Sequence, residues 1–190
     1  MISLEKGKSL SLDKGLSKVI AVMKWDAPDK IGGVDYDLDI TAFLCNNKSG
    51  NPVCETEGNF IFYNQLKSPN NEVVHSEDAR NGGEEDVIVD FHGVNKMTPA
   101  VNEIMFFVTL HKAAERGQTM KSMKSASLRI EDASNSTVIA EFQLKDQYPN
   151  DIAIQVGSFV KSGDDWSFQT VGNGFNQDLG AIARKLGLHI

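Results

Sequence analysis

Short stretches in which hydrophobic and polar residues alternate recur along the whole chain. Residues 17–26 show the pattern most clearly, because Val19, Ala21, Met23 and Trp25 fall on alternate positions, as on the buried face of a strand. Similar patterns predict further strands at residues 8–12, 35–45, 59–64, 73–75, 87–91, 103–111, 127–132, 137–144, 152–161 and 166–172. Glycine, proline and asparagine residues between these segments indicate turns.

One segment has clear helical spacing. Residues 177–188 place Leu179, Ile182 and Leu186 on one helical face, and Gly187 follows near the end. Residues 113–122 fit a short helix or an ordered loop, and both readings stay open. The sequence therefore predicts an all-β fold, an antiparallel β-sandwich of about ten strands with a C-terminal helix, in a single domain spanning residues 1–190.

An acidic segment interrupts the pattern. Asp35, Asp37 and Asp39 alternate with Tyr36 and Leu38, so on a strand the three carboxylates would share one face. Two carboxylates about 4–5 Å apart repel by roughly 3–4 kcal/mol at an effective dielectric constant near 20, and aspartate is a poor strand former. A positive group is therefore expected beside this face.

A second acidic stretch, residues 75–90, supplies more oxygen atoms. Together the two stretches hold nine of the 26 acidic residues, and Arg80 is their only lysine or arginine. Glycines in a turn let backbone carbonyls approach an ion closely. The candidate ligands are Asp35, Asp37, Asp39, Asn64, Asp78, Gly82, Gly83, Glu84, Glu85 and Asp86.

This oxygen-rich set favours calcium, which takes six to eight oxygen ligands in irregular geometry. A transition metal would prefer histidine or cysteine, and only His75 is near in sequence. The spacing is also not that of an EF-hand loop. Alternating aspartates alone are a weak signal, so a calcium-independent fold with merely solvated acidic groups remains an alternative.

Charge and cysteine content narrow the class of protein. A formal net charge of -7 and a pI near 5.1 argue against a nucleic-acid-binding or anionic-membrane surface. Without a signal peptide or a long apolar span in this sequence, we expect a cytoplasmic protein with no membrane insertion. Cys45 and Cys54 flank a turn-rich stretch, so they are expected to face each other across a hairpin as reduced thiols.

Several motifs, taken together, resemble the TerD family of tellurium-resistance and stress proteins. The central ones are Gly-Val-Asp-Tyr-Asp-Leu-Asp at residues 33–39, Phe-Ile-Phe-Tyr-Asn-Gln at 60–65, Lys-Ser-Pro-Asn at 67–70 and His-Ser-Glu-Asp at 75–78. The opening at residues 2–8, the segments at 108–111 and 116–118, and the tail at 166–174 are similar as well. The resemblance covers nearly the whole chain.

The resemblance implies a β-sandwich that binds two neighbouring calcium ions. Carried over by position, the ligands are Asp37, Asp39, Asn64 and Asp78, with Asp35 a weaker match and Glu84, Glu85 and Asp86 closing the site. The chain departs from the family pattern at Ala79, where the family loop usually has asparagine, and its acidic run is shorter. One of the two ion sites is therefore expected to be altered, which leaves open whether one or two ions bind.

Two functional classes follow. The first is a non-enzymatic calcium-binding stress protein whose partner is a protein of a stress complex or a small anionic ligand. The second is an enzyme or receptor that uses the ions to hold a phosphate- or nucleotide-containing molecule, with Arg80, His75 and Lys67 as local candidates for its cationic and basic groups. The oligomeric state is not predicted by the sequence.

Overall fold

The computed structural model describes residues 2–3, 9–12, 16–28, 35–80, 82–144 and 146–190. The strands in these residues are β1 (Ile2–Ser3), β2 (Ser9–Ser11), β3 (Lys18–Asp26), β4 (Leu38–Lys48), β5 (Asn51–Val53), β6 (Phe60–Ile61), β7 (Val73–His75), β8 (Gly83–Asp90), β9 (Glu103–Leu110), β10 (Ser125–Asp132), β11 (Val138–Gln143), β12 (Ala153–Ser162) and β13 (Asp165–Phe175). The α-helices are α1 (Phe91–Met97), α2 (Ala113–Arg116) and α3 (Leu179–Lys185). Gly33 and Val34, and most of the motif at residues 2–8, lie outside the described residues.

The strands form two sheets. The six-stranded sheet has the order β1-β11-β10-β3-β8-β7, and the seven-stranded sheet has the order β2-β13-β12-β9-β4-β5, with β6 paired to β4. Among the described strands the pairing is antiparallel throughout, except that β1 runs parallel to β11. The predicted antiparallel β-sandwich is confirmed. The strand number exceeds the expected ten because very short strands such as β1 and β5 carry little periodic signal.

The main core lies between the two sheets. Val19, Ala21, Met23 and Trp25 of β3 are buried in it, as their alternation predicted. Strand β4 contributes Leu38, Ile40, Ala42 and Leu44 to the same core. The intervening residues of β4 point the other way, so the one acidic residue of this strand, Asp39, lies on the outer face of the seven-stranded sheet.

The predicted C-terminal helix is confirmed as α3, which covers part of that outer face. Ile182, Ala183 and Leu186 pack there against Phe43 and Phe107. Asp178 begins the helix, because its Oδ1 accepts a hydrogen bond from the amide of Ala181 at 2.7 Å. The helix therefore starts and ends slightly inside the predicted limits, with residues 186–187 forming a turn.

The acidic segment is only partly a strand, which corrects the prediction for residues 35–39. Strand β4 begins at Leu38, and Asp35 and Asp37 precede it. The carbonyl of Asp35 accepts hydrogen bonds from the side chains of Arg116 and Gln118. These side chains replace the backbone amide that an adjacent strand would otherwise supply. The predicted strand at residues 59–64 is shortened in a similar way, since Tyr63 and Asn64 form a turn closed by Phe62 and Gln65.

Two further differences concern the segments around β8. Glu84, Glu85 and Asp86 were expected in a loop, but they belong to β8 itself. Residues 91–97 form a helix that the sequence pattern did not predict. Asp90 caps its start, because the amide of Gly93 donates to Asp90 Oδ1 at 3.0 Å. Residues 113–122 resolve into α2 and one turn of 3-10 helix. Across the described ranges, no helix combines the length and apolar character needed to cross a membrane.

Candidate functional site

A cavity of about 460 Å³ opens on the sandwich where β4 begins, beside the end of β9. Strand β4, the turn after β6, the segment before β8 and the β9–α2 connection all contribute to its wall. The lining residues are Asp35, Asp37, Asp39, Tyr63, Asn64, Asp78, Arg80, His111, Lys112 and Arg116. The cavity therefore combines four carboxylates with a set of basic side chains near them.

Three of the carboxylates converge. Asp37, Asp39 and Asp78 each offer one oxygen, and these oxygens lie within 4.8 Å of one another. Asp37 is 7% exposed and Asp39 is 2% exposed. Within the described residues, Oδ1 of Asp37 and Oδ1 of Asp39 are buried without a hydrogen-bond partner. Buried carboxylate oxygens without donors are unfavourable, so the arrangement fits a cation that would contact them.

Burial and mutual repulsion raise the pKa values of the buried acids in the cavity. Burial, followed by repulsion from Glu85 and Asp37, raises the pKa of Asp39 to about 9. Burial, followed by repulsion from Asp78, raises the pKa of Asp37 to about 6. Burial and the same carboxylates raise the pKa of the Tyr63 hydroxyl. In the absence of a bound cation, Asp39 therefore holds a proton at neutral pH.

The basic groups sit at the rim rather than against the buried oxygens. Arg80 is largely exposed, and its Nε lies 2.9 Å from Asp78 Oδ2. His111 Nδ1 lies 3.5 Å from Asp39 Oδ2, but burial and the positive charge of Arg116 lower the pKa of His111. The histidine is therefore neutral at physiological pH and adds no full positive charge next to Asp39.

The β9–α2 connection fixes the backbone of the acidic segment. The amide of His111 donates to the carbonyl of Asp37 at 2.8 Å. Gln118 Nε2 and Arg116 Nη1 donate to the carbonyl of Asp35 at 2.9 Å and 3.1 Å. Three residues of the 111–118 segment thus hold the backbone of Asp35 and Asp37, and with it their carboxylates, at the cavity before strand β4 begins.

Glu85 lies behind the three carboxylates and is fully buried. Its Oε2 accepts a hydrogen bond from the amide of Ile40 at 3.1 Å, and its Oε1 accepts one from the amide of Ala79 at 3.1 Å. Burial raises the pKa of Glu85 to about 7. Because Ala79 follows Asp78 directly, this contact helps to hold Asp78 at the cavity.

His75 is buried beside Glu85, with its Nε2 3.7 Å from Glu85 Oε2. The same nitrogen faces the carbonyl of Ile40 at 2.9 Å, and Nδ1 faces the carbonyl of Ser76 at 2.7 Å. Both ring nitrogens are therefore engaged by backbone oxygens, and the side chain is closed off from the cavity.

The remaining predicted ligands lie elsewhere. Glu84 projects from the opposite face of β8, where its Oε2 is 3.9 Å from Arg129 Nη2. Asp86 shares that face, and its amide donates to Ser76 Oγ at 3.0 Å. Gly82 and Gly83 have positive φ angles, and a Cβ at Gly82 would lie 3.3 Å from the amide nitrogen of Ala27. None of these four residues lines the cavity.

The cavity thus brings together Asp35, Asp37, Asp39, Asn64 and Asp78, half of the ten residues that the sequence singled out as ligands. Sequence reasoning did not place Tyr63, His111, Lys112 or Arg116 in the site. The ring of Tyr63 packs edge-on against His111, with centroids 5.4 Å apart. A signal was present, because His111 and Arg116 belong to the segments that carry the family resemblance.

Comparisons with known proteins agree with that resemblance. The model of the TerD domain matches residues 1–186. General stress protein 16U of Bacillus subtilis (strain 168) is 34% identical over 100% of this chain and 98% of that protein. Tellurium resistance protein TerD of Serratia marcescens is 30% identical over 99% and 98% of the two chains.

A solved structure supports the fold independently. The crystal structure of a homologue of telluride resistance protein (TerD) from Streptomyces coelicolor A3(2) has a TM-score of 0.72 at 18% identity, covering 89% of this chain and 96% of that one. At this identity the likeness concerns the sandwich alone. With the family match over residues 1–186 and the similarity to full-length relatives, the chain belongs to the TerD domain family.

Proposed function

We propose that this protein binds one calcium ion at Asp37, Asp39 and Asp78 and acts as a non-enzymatic binding module in a stress response. The observation that carries the proposal is the convergence of three carboxylate oxygens within 4.8 Å, two of them from almost fully buried side chains. The buried Oδ1 atoms of Asp37 and Asp39 have no hydrogen-bond donor within the described residues. A hard cation satisfies such oxygens.

The donor set suits calcium better than softer ions. Carboxylates, the amide oxygen of Asn64 and water provide the six to eight oxygens that calcium prefers, and Asp35 stands at the edge of the same cavity. His111 is the histidine that lines the cavity, and its Nδ1 faces Asp39. Bound calcium would supply positive charge that neutralises the cluster, and through it Asp78 would be tied to the start of β4.

One ion is favoured over two. Glu84 and Asp86 lie on the far face of β8, away from the cavity. Both oxygens of Glu85 already accept backbone hydrogen bonds, from Ile40 and Ala79. Ala79 itself offers no side-chain oxygen in place of the asparagine that the family pattern has. Among the described residues near β8, too few unengaged oxygens therefore remain to coordinate a second ion.

We assign partner binding to the exposed surface around the acidic cavity once calcium is bound there. Relatives are named as tellurium-resistance and general stress proteins, which supports a resistance role rather than an enzymatic one. We place this role in the cytoplasm, with either a protein of a stress complex or a small anionic ligand as the partner. His75 lacks a free ring nitrogen to act as a base, and Lys67 is exposed away from the cavity.

A phosphate-containing ligand is the second candidate, as a bound molecule rather than a substrate to be transformed. The observation that favours it is the presence of Arg80, Lys112 and Arg116 in the same cavity wall as the carboxylates. These side chains and the ion would together hold a phosphate group. Titration with inorganic phosphate, with and without calcium, tests this: binding that requires calcium supports it, and calcium-independent or absent binding excludes it.

Calorimetric titration of the chelator-treated protein with calcium tests the main proposal. We expect one ion per chain and a rise in melting temperature, because at a calcium concentration of 100 times Kd the folded state gains about 2.7 kcal/mol. Two ions per chain would refute the single-site arrangement. Equal melting temperatures in chelator and in millimolar calcium would refute calcium binding altogether.

A further inference from the structure

Three sulfur-bearing side chains lie in one cluster on the outer face of the seven-stranded sheet, on a different part of the molecule from the acidic cavity. They belong to Cys45, Cys54 and Met105, all in the second hydrophobic cluster beneath α3. The pairing of Asn46 with Val53 puts Cys45 opposite Cys54 across the β4–β5 hairpin. The pairing of β4 with β9 puts Met105 diagonally beside Cys45.

The sulfurs are close together and shielded from water. Cys45 Sγ lies 3.8 Å from Met105 Sδ, and the strand register sets Cys54 opposite Cys45. Both cysteines are free and 0% exposed, and Met105 is 5% exposed. An ion bound at about 2.3 Å by three sulfurs in a plane sets them about 4 Å apart, so the 3.8 Å between Cys45 Sγ and Met105 Sδ needs little adjustment.

We propose that Cys45, Cys54 and Met105 form a three-sulfur site for a soft monovalent metal ion, with copper(I) as the representative ion. Thiolate and thioether sulfur are the ligands that select copper(I) over harder ions. A pair of packed thiols alone would explain buried cysteines. The third sulfur, supplied by Met105 of the neighbouring strand and in contact with Cys45, is the feature that favours a metal.

Binding exchanges the thiol protons for the ion. Metal ions bind the thiolate form of cysteine, so Cys45 Sγ and Cys54 Sγ each lose one proton to solvent, and no electrons are transferred. The choice of copper(I) follows from the donor atoms, since thioether sulfur is a soft ligand that suits a soft ion.

The exchange loses little hydrogen bonding. Cys54 Sγ donates to the carbonyl of Thr56 at 3.5 Å, and this contact is given up when the thiol loses its proton. A thiol is a weak donor, so the loss is small beside the gain of a metal–thiolate bond. The aromatic rings of Phe43 and Phe107 in the same cluster keep water from the sulfurs.

A groove provides the approach for the ion. About 500 Å³ of open space lies between the β4–β5 hairpin and α3, with Met105, Val53 and Leu186 among its lining residues. Met105 lines this groove and also touches Cys45, so its side chain separates the groove from the thiols. A methionine side chain is flexible, and its rotation opens the way to the two cysteines.

The test is a titration of the reduced full-length chain with copper(I) under nitrogen, in competition with bicinchoninate. We expect one copper(I) ion per chain and an X-ray absorption spectrum with three sulfur neighbours at about 2.3 Å. Met105→Leu should weaken binding about tenfold or more while both thiols remain, and the absorption spectrum should lose one sulfur. The matched control is Met120→Leu, a buried methionine outside the cluster, which should bind copper(I) as the wild-type chain does.

Other results would overturn the proposal. Unchanged affinity in Met105→Leu removes the thioether from the site, and tighter binding of zinc than of copper(I) contradicts the choice of a monovalent ion. Cys45→Ser and Cys54→Ser should each abolish tight binding. If either serine variant fails to fold, the Met105→Leu result alone tests the proposal, because leucine preserves the packing volume. Loss of copper(I) binding in the double variant Asp37→Asn, Asp39→Asn would instead locate the ion at the acidic cavity.

Discussion

The carboxylate of Glu85 in the six-stranded sheet accepts a hydrogen bond from the amide of Ile40 in the seven-stranded sheet, at 3.1 Å. The contact crosses the sandwich beside the acidic cavity. The other oxygen of Glu85 accepts from the amide of Ala79, also at 3.1 Å. One buried side chain therefore fixes the start of β4 and the segment that bears Asp78 relative to each other.

Replacing Glu85 by glutamine tests this bracing role. Glutamine has one acceptor oxygen where glutamate has two, so one of the two amides would face an NH2 group. We expect Glu85→Gln to lower the free energy of unfolding by about 1–3 kcal/mol at pH 6, measured by urea denaturation in chelator. Burial raises the pKa of Glu85 to about 7, so at pH 6 the carboxyl is largely uncharged and the difference reports the lost acceptor rather than a removed charge.

Glu84→Gln is the matched control for that measurement. Glu84 is the preceding residue of β8, is exposed, and lies 3.9 Å from Arg129. A surface pair of this kind contributes little, so the variant should stay within about 0.5 kcal/mol of the wild-type chain. Equal effects of the two substitutions would contradict the bracing role of Glu85.

Glu84 and Glu85 also show how far the sequence alone leads. Both were predicted ligands, because Gly82 and Gly83 indicated a turn that was expected to include the acidic residues that follow. The structure starts β8 at Gly83, and successive residues of a strand point to opposite faces. Whether a given acid faces the cavity depends on where the strand begins, and element boundaries are the least certain part of any prediction from periodicity.

The strands could be predicted from local sequence patterns, but the site depends on contacts between residues that are far apart in the sequence. The strands were predictable from local patterns such as the alternation of Val19, Ala21 and Met23, which burial of one face requires. Arg116, in contrast, donates to the carbonyl of Asp35 across 81 residues of sequence. That contact depends on the pairing of β4 with β9, and no local pattern encodes it.

Asp39→Asn should stabilise the metal-free protein and abolish its response to calcium. The carboxyl of Asp39 has its pKa raised to about 9 by burial and by Glu85, so an uncharged isostere relieves that unfavourable environment. We expect the free energy of unfolding in chelator to rise by about 1–3 kcal/mol at pH 8. The exposed Asp146→Asn is the control and should change neither quantity. Undiminished stabilisation of Asp39→Asn by calcium would place the ion elsewhere.

Arg80→Gln should strengthen calcium binding. The guanidinium lies 2.9 Å from Asp78 Oδ2 and competes with a cation for that carboxylate. Since Arg80 is exposed, its removal leaves the buried structure intact, and we expect the Kd for calcium to fall by about two- to tenfold at low ionic strength. Titration calorimetry of both chains in the same buffer measures the change. Weaker binding in the variant would show that Arg80 supports the site instead of competing with it.

The metal-free protein should lose stability as the pH rises from 7 to 9. Folding raises the pKa of Glu85 to about 7 and that of Asp39 to about 9, so across this window the folded state holds protons that the unfolded state has released. Each such proton lowers the free energy of unfolding by about 1.4 kcal/mol per pH unit. His111 does not oppose this change, because its pKa is lowered and it is already neutral at pH 7. Urea denaturation in chelator at pH 7, 8 and 9 measures the slope, which should be shallower in Asp39→Asn.

Calcium should reverse that dependence. The ion competes with the protons on Asp37 and Asp39, whose pKa values are about 6 and about 9, so raising the pH removes competitors and increases the affinity. The difference in melting temperature between calcium and chelator is therefore expected to be larger at pH 8.5 than at pH 6. Proton release on binding, measured by calorimetry in buffers of different ionisation enthalpy, should accompany it at pH 7. A calcium effect that is equal at both pH values, with no proton released, would mean that the ion does not contact the buried carboxylates.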